Sequence, residues 1–446
     1  MANARYSIGS LAVAAMFTLP WVGVWATGSV DGLSTVLQVL VAGAAVLGAS
    51  FLLAWGAETA EKDVPRAFAL AVLAVLAVAP EYAVDALYAY QAGANPGSGG
   101  GDLAVANMTG ANRILIGLGW SGIALFSIYK ARSSGDVAVD TSGSSFLSNA
   151  VKLDKSIATE ILFLTAATVW AFLVPFGMLG GGRGIDIVDM LVLVGIYATY
   201  IFVIIRGEVD DSETHVGVPA YLQQFARQLR VPIVLGLFVY SGFLIFTAVE
   251  PFAHGLEAIG VANGIPEFFM VQWFAPLASE SPELIVTAYL VNKARTTASF
   301  NALISSKLNQ WTLLIGTLVV VYSIALGQYG ALPFGEKQAA EIWLTAAQSF
   351  FALAILINFR ISVTEAVVLL VLFLSQVVGE FAIIRLYSEA AAESISITLL
   401  FAFTALYIVL GLGLFARRFD DAKQVASLSR RQFKGTADAT EVRADD

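Results

Sequence analysis

"ASESPELIV", Ala278 to Val286, sets Ser279, Glu280, Ser281 and Glu283 around Pro282 inside an apolar run. "FFMVQWFAPL" precedes it and "LIVTAYLV" carries on from Leu284. Proline removes a backbone donor and frees the carbonyl one turn earlier. Ionised side chains inside a bilayer are costly and usually functional. The stretch therefore reads as a broken membrane helix with chemistry at the break.

It has a partner. "AVAPEYAVD", Ala77 to Asp85, carries Pro80-Glu81 in an equally apolar setting. The surroundings match as well. Each Pro-Glu follows a Gly-x-Glu, at Gly56 and Gly255, then a proline able to open a helix, Pro65 or Pro266. Downstream, "ANMTGANRILIGLGW" stands beside "FNALISSKLNQWTLLIGTL", so that Asn107 aligns with Asn301 and both segments reach an Ile-Gly. Two similar halves with polar-interrupted helices in corresponding places point to a transporter site.

Composition sets the medium. Of 446 residues, 58% are hydrophobic and 13% charged, against roughly 45–50% and about 25% in soluble domains. Many apolar runs reach the ~20 residues that cross a bilayer. Spans are expected over 8–27, 35–58, 65–92, 103–130, 156–176, 185–206, 231–253, 266–292, 298–326, 340–358, 361–385 and 393–416, about twelve in all. The first is read as a retained helix rather than a signal peptide, because it lacks a basic leader beyond Arg5. Net charge of −9 leaves no basic footprint for nucleic acid. The absence of cysteine excludes disulfides and thiolate metal sites.

Basic residues give the orientation. With the N-terminus inside, the inner loops hold Arg5, Lys62, Arg66, Lys130, Arg132, Lys152, Lys155, Arg206, Arg227, Arg230, Lys293, Arg295 and Arg360. The outer loops hold only Arg183, Lys337 and Arg385. Positive residues favour the cytoplasmic side, so both termini are expected there, in the cell membrane. The span with Glu81 then runs outward and that with Glu283 inward, making the halves inverted. Both glutamates fall near mid-membrane. On helical spacing Glu280, Glu283 and Thr287 share one face, as do Val78, Glu81 and Asp85. Carboxylates, hydroxyls and freed carbonyls form the oxygen cage that hard cations take.

These segments resemble those of the calcium/cation antiporter superfamily, which includes sodium/calcium and proton/calcium exchangers. That family carries two inverted repeats, each with a Gly-Thr-Ser-x-Pro-Glu-like segment and, one helix later, Gly-Asn-x-x-Gly-Ser-Asn-x-x-Asn. Here they correspond to "AVAPE" and "SESPE", then to "ANMTGANRIL" and "FNALISSKLN". The resemblance implies an all-α polytopic membrane protein: two inverted five-helix repeats with discontinuous ion-site helices and one extra helix at each end. The expected organisation is an extra helix over 1–34, repeats over 35–206 and 231–385, a cytoplasmic loop at 207–230, an extra helix over 386–416 and a disordered tail over 417–446. It implies that Glu81 and Glu283 bind the ion, with Glu280 and Asn309 completing the shell. Asp85, Ser279, Thr287, Asn107, Asn301, Arg113 and Lys307 form the periphery, with Asp85 a secondary or proton-carrying acid.

The departures are specific. The serine ligand position holds Val78 in one half and Glu280 in the other, and the first-half polar ligand is Leu115. A cation fills the same slot in both halves, Arg113 and Lys307. Either these are structural, paired to carboxylates or snorkelling, or they partly neutralise Glu81, Asp85, Glu280 and Glu283. Glu250 and Glu380 are expected at outer vestibules or interfaces, and Glu160, Asp186 and Glu365 at helix N-termini. "GEVDDSETH" is read as a solvated loop, and "GANPGSGGGD", which lacks the Lys-Ser/Thr of a phosphate loop, as a flexible outer loop. His215 and His254 have no second histidine at ligand spacing.

The function expected is a secondary antiporter moving calcium, or a similar hard cation, against sodium or protons. It is not an enzyme, and needs no cofactor, nucleotide or nucleic acid; its partners are lipid and the transported ions. The alternatives are a monovalent sodium/proton exchanger on the same scaffold and, more remotely, an intramembrane enzyme or a non-transporting sensor. Oligomeric state is not legible.

Overall fold

The computed structural model describes residues 4–97, 99–134, 136–141, 146–177, 183–206, 217–265 and 269–430. Long apolar runs form helices because lipid offers the backbone no partners. The helices are α1 (Ala4–Ala26), α2 (Thr35–Ala60), α3 (Arg66–Ala77), α4 (Ala79–Ala94), α5 (Gly100–Ile114), α6 (Ser121–Ser134), α7 (Ala158–Ala171), α8 (Ile187–Ile205) and α9 (Val218–Leu222). They continue as α10 (Arg227–Ala262), α11 (Ala275–Ser279), α12 (Ser281–Asn292), α13 (Thr296–Asn309), α14 (Ile315–Leu326), α15 (Glu336–Leu356), α16 (Val363–Leu386) and α17 (Glu389–Arg417). Residues 419–430 form α18.

Among the described residues, ten spans are long and apolar enough to cross a membrane, or eleven if the broken pair α3 and α4 is one span. The expected span at 266–292 is discontinuous, as its motif proline implies. That segment is a π-helical turn (Met270–Phe274) followed by α11 and α12, each too short to cross alone. Pro276 and Pro282 lie in the first turns of α11 and α12, where their missing donors cost least. Pro266 lies outside the described residues. A correction concerns 231–253: α10 runs on through Pro232 and Pro251 to Ala262, so Glu250 lies within a helix, exposed on its side. A second concerns the tail: 419–430 are helical rather than disordered, with Val425 and Ser429 buried there, while 431–446 lie outside the described residues.

Short antiparallel ladders stitch the loops. β1 (Val139–Asp140), β2 (Ala150–Lys152) and β5 (Arg360–Ser362) form one sheet, with Val151 opposite Ile361. β3 (Gly184–Ile185) pairs with β4 (Leu332–Pro333). The glycine-rich stretch expected as a flexible loop is partly ordered: Gly100 to Asp102 begin α5, and Asp102 accepts from the Gly335 amide at 2.7 Å. "GEVDDSETH" lies outside the described residues.

The chain divides into two compact units, each drawing on both sequence halves: residues 1–82 with 204–289, and 83–203 with 290–446. In the first unit α2 packs along α10, with α1 against α2 and α3 against both α2 and α10. Small residues allow the close crossings: Gly48 meets Ala14 and Thr18 of α1, and Gly56 meets Phe238 of α10. In the first turn of α10, Arg230 binds both oxygens of Asp63, which lies in the turn between α2 and α3, at 2.7 Å. That hydrogen-bonded cation holds the Asp63 carboxyl below its ordinary range.

The second unit carries the motif helices α5 and α13. Each continues through a π-helical turn, Leu115–Trp120 into α6 and Gln310–Leu314 into α14. The packing is crosswise. α5 packs on α15 and the first π turn on α16, from the second half; α13 packs on α7, from the first. The shared Ile-Gly explains itself here. A Cβ on Gly117 would lie 2.2 Å from the Phe373 ring of α16, and one on Gly316 would lie 3.0 Å from Val194 of α8.

Candidate ion site and motif helices

In the first unit the helix breaks fall at the motif prolines. α3 ends at Ala77, Val78 is its cap, and α4 starts at Ala79 with Glu81 in its first turn. α11 ends at Ser279, Glu280 is its cap, and Glu283 lies in the first turn of α12. Glu81, Glu280 and Glu283 are all 2% exposed or less. The Ser279 hydroxyl donates to the Glu81 carboxylate, and also to the Pro276 carbonyl at 3.0 Å. One Pro-Glu segment thus meets the other directly. Thr287 is buried and donates to the Glu283 carbonyl at 3.0 Å. Close by, Tyr289 donates to Glu58 at 2.8 Å, so the Gly-x-Glu of the first half is also a buried acid of this unit.

The second unit holds the remaining motif residues. Asn107 donates to Asp85 at 3.0 Å, both being buried. Asn301 accepts from Ser305 at 3.1 Å and faces the Glu160 carboxyl. Asn309 is fully buried at the end of α13, where the π turn begins. Such turns shift a helix's register locally and are frequent at functional sites. Both halves place one directly after the motif cation.

The two cations do not snorkel: Arg113 is 1% exposed and Lys307 wholly buried. Arg113 donates from Nε to the Thr109 carbonyl at 3.2 Å and pairs with Glu341 at 3.9 Å. Thr109 also donates to Glu341, at 3.1 Å. Lys307 donates to the Asn112 carbonyl at 3.5 Å and lies 4.2 Å over the Trp311 ring. Of the sequence alternatives, carboxylate pairing holds for Arg113. Lys307 also makes a carbonyl and a ring contact.

The expectation that Glu380 faces a vestibule or interface is corrected. It is fully buried, pairs with Lys337 at 3.3 Å and accepts from Gln376 at 3.2 Å. Glu365 does hold a helix N-terminus, in a capping box with Ser362 on α16, and it pairs with Arg418. Asp186 accepts from the Val188 and Asp189 amides at the head of α8. Sequence reasoning passed over Glu341. Its signal was present: "ATEILFLTAA" from Ala158 and "AAEIWLTAAQ" from Ala339 repeat an Ala-x-Glu-Ile in the fourth helix of each half.

A family model for "Sodium/calcium exchanger protein" matches residues 33–206 and 233–382. The chain belongs to the sodium/calcium exchanger family. It is therefore a membrane transporter of the cation-exchanger class, not an enzyme. A crystal structure of the H+/Ca2+ exchanger CAX is 41% identical over 97% of this chain and 99% of that one, with a TM-score of 0.77. Structures of the sodium-calcium exchanger NCX_Mj are 16% identical over 79% of this chain and 99% of that one, with TM-scores of 0.54 and 0.55, and show the shared fold. No curated protein matches the chain.

Proposed function

We propose that this exchanger moves calcium, or a similar hard cation, against protons by alternating access. The likeness to an H+/Ca2+ exchanger over nearly its whole length supports the proton as counter-ion. The observation that carries the site assignment is the contact of Ser279 with Glu81, which joins the two Pro-Glu segments. On motif position, Glu81 and Glu283 are the principal ligands, with Glu280 and Asn309 completing the shell. Asp85, Ser279, Thr287, Asn107 and Asn301 support them. Oxygen donors of this kind suit a calcium ion, which takes six to eight oxygens at roughly 2.3–2.6 Å.

Arg113 and Lys307, buried cations in motif slots, favour a second reading: sodium or another monovalent ion on the same scaffold. A panel of calcium, sodium, potassium and proton gradients across proteoliposomes separates the two. Calcium uptake driven by a pH gradient and abolished by Glu283→Gln supports the first reading. Uptake unaffected by that substitution removes Glu283 from the site. The bias of basic residues favours a cell-membrane protein with both termini in the cytoplasm; protease access to a C-terminal tag in sealed cells and inverted vesicles tests it.

A further inference from the structure

Asn107 and Asn301, aligned in the two motif helices, each meet a buried acid, but not the same one in sequence. Asn107 meets Asp85, four residues after Glu81. The position four after Glu283 is Thr287, so the second half has no such aspartate. Asn301 turns instead to Glu160, in the first turn of α7. The fourth-helix glutamates also differ. Glu341 pairs with Arg113, and with Glu380 and Lys337 nearby this group holds two acids and two bases. Among the described residues no lysine or arginine makes an ion pair with Glu160.

Glu160 is 1% exposed, and among the described residues its Oε2 has no hydrogen-bond partner. The groups facing it are neutral. α13 contributes Asn301, with Ser305 bonded behind it, and α8 contributes Tyr200, whose hydroxyl lies 3.0 Å from that of Ser305. Tyr197 lies one turn below Tyr200. Lys155, ahead of α7, and Lys423 and Arg430, on α18, are exposed. Ser429 of α18 donates to the Ala158 carbonyl at 3.2 Å, so the tail helix closes the start of α7. A lone carboxylate in such a place costs several kcal/mol in lost hydration; the amide of Asn301 and the hydroxyl of Tyr200 donate to it and offset part of that cost, and among the described residues no fixed cation offsets the rest.

We propose that Glu160 is a second proton-binding site of the exchanger, distinct from the glutamates at the Pro-Glu breaks and linked to motif helix α13 through Asn301. On uptake an O–H bond forms at its carboxylate; on release that bond breaks and the proton passes to water. Because Asn301 lies on the helix that ends in Asn309, loading Glu160 alters the hydrogen bonds of that helix, which couples proton binding to the cation cycle.

The inference rests on the proton/cation reading, so its test separates the two. The full-length protein in proteoliposomes is assayed for calcium self-exchange, which needs no proton, and for uptake driven by a pH gradient with proton release followed by an internal dye. Glu160→Gln is expected to keep self-exchange within about twofold and to lower pH-driven uptake about tenfold or more. Glu283→Gln is expected to abolish both. Unchanged pH-driven uptake in Glu160→Gln would overturn the proposal and leave the exchanger reading standing. Loss of self-exchange as well would also overturn it, by making the role structural. A readout independent of transport is the infrared carbonyl band of a protonated carboxyl in the purified protein. The band should titrate in the wild type and be missing in Glu160→Gln; an identical titration in both overturns the assignment.

Discussion

α5 and α13 are counterparts in sequence, yet they treat their charges differently. Arg113 on α5 reaches a carboxylate, Glu341, that sits in a balanced group of four charges. The matching fourth-helix acid beside α13, Glu160, faces an amide and a phenol, and among the described residues no lysine or arginine makes an ion pair with it. One repeat therefore neutralises its buried acid with a fixed cation. The other leaves its acid open to a mobile one. Inverted repeats that kept both sides equal would have no such division of labour.

The largest expected effect is on transport. Glu81→Gln and Glu283→Gln each remove a proposed ligand and should abolish cation flux while the protein still elutes as a folded species. Equal loss in both would confirm that the halves remain matched at the Pro-Glu breaks, whatever their differences at α5 and α13.

The next effect is on stability and bears on the asymmetry itself. Glu341→Gln takes away the carboxylate paired with Arg113, and breaking a buried ion pair costs about 3–5 kcal/mol. Glu160→Gln breaks no ion pair and should cost less, about 1 kcal/mol. Thermal unfolding in detergent ranks the two. Adding Arg113→Met to Glu341→Gln should recover much of the loss, and failure to do so would deny the pairing its weight.

A smaller contrast lies at the paired glycines. Gly117→Ala would force a methyl to within 2.2 Å of Phe373 and should cost about 1–3 kcal/mol, as overpacked cores do. Gly316→Ala meets Val194 at 3.0 Å, which a small side-chain shift relieves, and should cost less. Equal melting temperatures would show that the two crossings are equally tight.

An effect of similar size lies in the first unit, at the turn between α2 and α3. Arg230→Ala removes two charge-assisted hydrogen bonds from Asp63 and should cost about 1–3 kcal/mol. Because the Asp63 carboxyl titrates below its ordinary value of 3.8, the stabilisation is full above that value. It fades as pH falls through the lowered one. The melting difference between wild type and Arg230→Ala should be constant near neutrality and shrink in acid.

The sequence by itself determined the membrane class, most helix positions and the inverted pairing of the Pro-Glu segments. Apolar runs must close their own hydrogen bonds in lipid, and proline acts on the backbone wherever it stands. The break within 266–292 was legible too, since Pro282 interrupts an apolar run there. What only the tertiary structure decided is which side chains meet. Arg113 finds Glu341 across more than two hundred residues, and Asn301 finds Glu160 where its counterpart Asn107 finds Asp85. Helical periodicity assigns a residue to a face. The partner of that face is set by crosswise packing of helices, α5 on α15 and α13 on α7, which no local pattern encodes.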